Sequence, residues 1–116
     1  MNNAWEKYLS ESTDSEWIGV DLDGTLAEYE KYIPNHIGKV IPEMRDRILN
    51  WIAEGKTVKI FTARAYVGDE IPLIKTWLQD NGLPDLEITC TKDPKMVELW
   101  DDRAVRVVKN TGKPCC

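Results

Sequence analysis

Apolar and polar positions fall in blocks that switch between the periods of strands and helices. Trp17-Ile18-Gly19-Val20 is a short apolar run closed by charge and glycine, which predicts a buried strand. Ile41, Met44, Ile48 and Ile52 fall on one helical face around Pro42, a residue favoured in a first helical turn, and Gly55 ends the pattern. Thr57-Val58-Lys59-Ile60-Phe61 predicts a second strand. Ile71, Ile74 and Leu78 form the stripe of a second helix from Glu70 to Asp80, with Pro72 in its first turn and Asn81-Gly82 as its stop. Leu86–Thr89, Val97–Trp100 and Val105–Val108 predict three more strands, while residues 27–40 show no period and read as a loop or small hairpin. Strands alternating with helices predict an α/β fold with a mostly parallel, five-stranded sheet flanked by helices.

The 116 residues suit one domain, expected over 16–116, preceded by a polar segment, 1–15, in which only Trp5, Tyr8 and Leu9 could dock on the body. Hydrophobic residues at 42% and charged residues at 30% are the balance of an ordinary globular chain. No run approaches the ~18 apolar residues of a membrane span. The first residues have neither a basic start nor an apolar core, so the expected location is cytoplasmic, with no membrane partner. A formal net charge of −5 disfavours nucleic acid, which attracts a positive surface, but leaves room for an anionic substrate held through a bound cation. Cys90, Cys115 and Cys116 are too few and too unevenly placed for a disulfide framework; the terminal pair could hold a metal or link chains.

In parallel sheets ligands bind beyond the carboxyl ends of the strands, where strand order reverses. The first strand is followed by Asp21-Leu22-Asp23-Gly24-Thr25, the second by Thr62-Ala63-Arg64, the third by Thr91-Lys92 and the fourth by Asp101-Asp102-Arg103. Each has an ordinary structural reading: Asp-Gly turns, a threonine helix cap, a solvated lysine, an acidic turn. Their joint placement at successive strand ends points instead to phosphoryl transfer. Asp21 would attack phosphorus as a nucleophile. Asp23 would protonate the leaving group and then deprotonate water. Gly24 would bring backbone N–H groups close to phosphate oxygens. Thr62 and Lys92 would contact the phosphoryl group, Ala63 and Arg64 the substrate, and Asp101 with Asp102 would hold Mg²⁺.

Asp21-Leu22-Asp23-Gly24-Thr25-Leu26 resembles the first motif of the haloacid dehalogenase-like (HAD) hydrolase superfamily, with Thr62, Lys92 and Asp101-Asp102 similar to its second, third and fourth motifs. The resemblance implies a Rossmann-like core, Mg²⁺-dependent hydrolysis of a phosphate monoester through an aspartyl-phosphate, and a metal-ligating main-chain carbonyl at Asp23. The acid at position 23 resembles the phosphatase branch. Neither 27–41 nor the stretch after Thr62 can hold a cap domain, so the chain resembles the capless members, with 27–41 as a flap. Such members take large substrates or borrow a lid from a neighbouring subunit. A phosphosugar, a nucleotide or a nucleic-acid 3′-phosphate end would fit, and a homo-oligomer is compatible.

Three features depart from the pattern. Cys90 to Val97 is too short for the helix that normally carries the third-motif lysine, which makes Lys95 a rival to Lys92. The fourth motif is compact, so either Asp101 or Asp102 could be the direct ligand. The second helix brings no recognisable substrate motif. An EF-hand fails on spacing, with Leu26 and Tyr32 where glycine and glutamate are required. A receiver-type phospho-acceptor domain uses similar groups in a different order, its acidic pair at the first strand. A catalytically quiet scaffold on the same core is the remaining alternative, and turnover of generic phosphoesters separates it from an enzyme.

Overall fold

The computed structural model describes residues 16–115; the segment 1–15, with Trp5, Tyr8 and Leu9, and Cys116 lie outside the described residues. Strand β1 (Trp17–Val20) is buried at every position and is flanked on both sides. Helix α1 (Pro42–Ala53) begins with proline at its first turn and turns Met44, Ile48 and Trp51 inward. Gly55, at φ +85°, takes the left-handed turn into β2 (Thr57–Phe61). A 3₁₀ helix (Ala63–Tyr66) follows at once, and then α2 (Glu70–Asp80). Strands β3 (Glu87–Thr89) and β4 (Met96–Trp100) complete the sheet.

All strand pairs are parallel and the order is β3-β2-β1-β4. The chain steps outward from β1 through β2 to β3, then returns to the other side of β1. Strand order therefore reverses between β1 and β4, and the crevice at their carboxyl ends is where such sheets bind ligands. Both helical crossovers step in the same direction, so a common handedness puts both helices on one face. Ile18, Val20, Val58 and Ile60 face that way and pack with Met44, Ile48, Trp51, Ile74 and Leu78 into one core. Trp100 extends it at the edge, meeting Trp51 edge-on with 5.1 Å between ring centroids.

On the other face lie Trp17, Gly19 and Lys59. The β3–β4 connection, Cys90–Lys95, contains no helix and runs back to the start of β1. There the Trp17 indole donates to Asp93 Oδ1 at 3.0 Å, and the Trp17 amide donates to the Lys95 carbonyl at 2.9 Å. Six residues thus replace a crossover that usually takes about a dozen.

The fifth strand expected at Val105–Val108 does not form. Val105 is 72% exposed, and the segment folds back on itself, with Val107 bridging Pro114 and the Val108 amide donating to the Lys113 carbonyl at 2.8 Å. Asn110 and Gly112 both have positive φ, so the Asn-Thr-Gly sequence reverses the chain before it can join the sheet. The 27–41 loop is closed at its base by the Ala27–Val40 bridge, by Glu28 donating to the Lys39 carbonyl and by Ile41 donating to the Leu26 carbonyl. Among the described residues no helix is long and apolar enough to cross a membrane.

Candidate functional site

The segment after β1 is held tightly before any side chain reaches the crevice. Leu22 and Leu26 are fully buried, and the amides of Leu26 and Ala27 both donate to the Leu22 carbonyl. The Asp21 amide donates to the Trp100 carbonyl at 2.9 Å, tying the end of β1 to the end of β4. Gly24 sits at φ +88°, and a Cβ built there would lie 2.5 Å from Asp102 Oδ2. Glycine is required twice over, for the left-handed backbone and for the approach of the second acidic segment.

Carboxylate oxygens of Asp21, Asp101 and Asp102 all lie within 4.8 Å of one another. Asp102 is fixed by Thr25: its amide donates to Thr25 Oγ1 at 3.1 Å and the threonine hydroxyl donates back to Oδ1 at 3.3 Å. Asp101 Oδ1 accepts from the Arg103 amide at 2.8 Å. Burial and the negative charge of Asp101 push the Asp21 carboxyl up to about 7; the Leu22 amide opposes the rise, and Asp102 adds to it. Three carboxyls in this space repel unless protonated or joined by a cation, and an all-oxygen set suits a hard divalent ion. The donors present therefore fit Mg²⁺.

Asp23 belongs to a second cluster. Arg64 Nε donates to its Oδ2 at 2.7 Å and Nη2 to its Oδ1 at 3.0 Å. Arg64 also donates from Nη1 to Glu70 Oε1 at 2.6 Å and from Nη2 to the His36 carbonyl at 2.8 Å. The Tyr32 hydroxyl donates to Glu70 Oε2 at 2.7 Å, and its ring lies against the guanidinium, 5.0 Å from ring centroid to Cζ. Arg64 is 4% exposed and Glu70 2%. Burial works against the charge on Arg64, but its bonds to Asp23 and Glu70 outweigh it and raise the pKa. Burial likewise opposes the Glu70 carboxylate, but the bonds from Tyr32 and Arg64 prevail and lower its pKa. The same bond to Glu70 raises the pKa of the Tyr32 hydroxyl.

Asp21 and Asp23 open onto a cavity of about 320 Å³, whose walls include Thr62, Ala63 and Arg64. Thr62 is buried, and its Oγ1 accepts from the Arg64 amide at 3.1 Å as the cap of the 3₁₀ helix, so the structural reading of that residue holds while it also faces the cavity. Two sequence expectations change. Arg64 lines the wall, but its donors are committed to protein acceptors rather than offered to a substrate. Lys92 is exposed, and neither it nor Lys95 lines the cavity, because the short β3–β4 connection carries the chain toward Trp17. The Asp23 side chain, for its part, stays outside the acidic triad.

The cavity also contains Tyr29 and Tyr32, from the 27–41 segment expected to be a flap, together with Arg103 and with Glu70 and Val67, which no sequence motif singled out. Glu70 did carry a signal. It stands one helical turn before Ile74 and two before Leu78, an acid on a core stripe, which requires a buried cation as partner.

The four-stranded parallel sheet with its two helices makes this an α/β protein, compatible with a Rossmann-like fold. No family model and no curated protein matches the chain. Among solved structures it is similar to a conserved protein from Bacteroides thetaiotaomicron, with a TM-score of 0.58 and 23% identity over 79% of each chain. That likeness bears on the fold.

Proposed function

We propose that this chain is a Mg²⁺-dependent phosphatase that hydrolyses a phosphate monoester through an aspartyl-phosphate on Asp21, as its resemblance to capless HAD hydrolases implies. One observation carries the reading. Asp21 and the Asp101–Asp102 pair, from strands at opposite ends of the chain, meet at the point where strand order reverses, beside a cavity that also contains Asp23.

Asp21, Asp101 and Asp102 would hold Mg²⁺, with the Asp23 main-chain carbonyl added by the resemblance. The ion would supply charge neutralisation between an anionic nucleophile and an anionic substrate. An Asp21 oxygen bonds to phosphorus while the bond to the leaving oxygen breaks and Asp23 gives that oxygen a proton. Asp23, then a carboxylate, takes a proton from water as the water oxygen attacks phosphorus. Inorganic phosphate leaves and Asp21 is restored. Arg64 fixes the plane of the Asp23 carboxylate. When Asp23 carries its proton, one Arg64 bond to it must yield, and Glu70 and the His36 carbonyl keep the guanidinium in place. Thr62 contacts the transferred group. The charge first assigned to Lys92 falls to Arg103, which lines the cavity and has no ion-pair partner among the described residues.

The quiet-scaffold alternative draws on the same cluster: both Asp23 oxygens accept from Arg64, and Lys92 does not line the cavity. Phosphate release from a panel of monoesters, with and without Mg²⁺, on wild type and Asp21→Asn, separates the two. Release that needs both Mg²⁺ and Asp21 supports the enzyme; none from any compound supports the scaffold.

A further inference from the structure

The geometry points to Tyr32 as a specificity-determining stacking platform: the substrate is a phosphate monoester whose leaving group carries a flat, unsaturated ring. This rests on the phosphatase reading. Tyr32 lies in the 27–41 loop, yet its ring is held at two points. Its hydroxyl donates to the buried Glu70 carboxylate, and Arg64 occupies one face of the ring. The loop beneath it is pinned in turn by Arg64 on the His36 carbonyl and by the Trp77 indole donating to the Gly38 carbonyl at 3.0 Å. With one face of its ring against Arg64 and its hydroxyl bonded to Glu70, Tyr32 as a residue is still 48% exposed, and it lines the cavity that contains Asp21 and Asp23. A half-exposed aromatic ring so firmly oriented costs little further ordering when another ring stacks on it.

The surroundings agree. Tyr29 and Val67 line the same cavity and are exposed, with Ile33 and Tyr66 exposed in the same two segments. With Tyr32 these make five of the nine exposed large apolar side chains among the described residues, the others belonging to β4 and the C-terminal turn. At about 320 Å³ the cavity is at the small end of ligand sites, with room for one ring beyond a phosphoryl group.

The test compares benzylphosphonate with cyclohexylmethylphosphonate. In both a methylene replaces the bridging oxygen, so neither is hydrolysed. The saturated ring is the more hydrophobic, so simple greasiness favours it and stacking favours the flat one. Calorimetric titration in Mg²⁺ should show wild type preferring the benzyl compound by about twofold to tenfold, the range of a favourable aromatic pair. Tyr32→Phe, which keeps the ring, should retain a preference for the benzyl compound. Tyr32→Leu should lose it, with the two affinities converging. Equal affinities in wild type, or a preference that survives in Tyr32→Leu, would overturn the stacking assignment while leaving the phosphatase reading intact. Failure of both phosphonates to bind wild type would likewise overturn the stacking assignment, and Mg²⁺-dependent phosphate release from the monoester panel then decides the phosphatase reading by itself.

Discussion

Asp21 is asked to be charged where the fold resists charge. Its carboxyl titrates near 7 in the folded chain against 3.8 for an ordinary aspartate, chiefly because it is half-buried and next to Asp101. The sign of the linkage follows. Below about pH 4 the group is protonated folded or unfolded and costs nothing; above that only the unfolded state ionises freely, so a penalty on folding grows until pH passes 7. In EDTA, Asp21→Asn should therefore be more stable than wild type at pH 8, by about 1–2 kcal/mol once solvent screening of a half-exposed group is allowed for, with the advantage fading toward pH 4. Urea midpoints at the two pH values measure it. The same variant should lose at least about 10³-fold in phosphate release, as expected when a nucleophile is removed. Asp23→Asn should slow both half-reactions, and with a phosphoester whose leaving group needs no protonation it should accumulate phospho-enzyme, detectable as acid-stable mass on the protein, because water loses its base.

At the scale of elements, the Arg64–Glu70 pair fastens three segments: the turn after β1 through Asp23, the 27–41 loop through His36 and Tyr32, and the start of α2. Glu70 has a lowered pKa, so its contribution is fully present above its ordinary value of 4.5 and is lost as pH falls through the lower folded value. Glu70→Ala should cost about 3 kcal/mol at pH 7, in the range for breaking a buried ion pair from one side, and less in acid. Chemical denaturation at pH 7 and pH 3 checks both parts. Here too the limits of sequence reading show. Strands and helices were legible from Trp17 to Trp100 because apolar periodicity and Gly or Pro punctuation agreed. Val105–Val108 has strand chemistry, but Asn110 and Gly112 just beyond it were the stronger signal. Lys92 was placed by counting from a strand end, whereas its position depends on how far six residues must stretch to reach β4. Arg64 looked like a substrate cation because its three acceptors lie six, twenty-eight and forty-one residues away, distances no local pattern reveals.

For the whole molecule, the parallel order β3-β2-β1-β4 matters more than the number of strands, since the crevice exists only because β4 returns beside β1. That much followed from reading strand ends, and it is why Asp21, Asp101 and Asp102 could be grouped before their geometry was known. Mg²⁺ that binds only this folded arrangement should raise the thermal midpoint in proportion to the logarithm of its concentration. Asp101→Asn or Asp102→Asn should flatten that response, and differential scanning calorimetry across a Mg²⁺ series reads the slope.

Eighty residues separate Asp21 from Asp101, nearly the whole span from first strand to last. Drawing those two points together is the entropically slowest closure the chain must make, so no partly folded form lacking β4 can own the acidic triad. An ion lodged there would act as a clasp between the two extremities, and its uptake during refolding would time the arrival of the final strand. A lanthanide whose luminescence brightens on leaving water could then serve as a clock for completion of the fold, independent of any chemistry the protein performs.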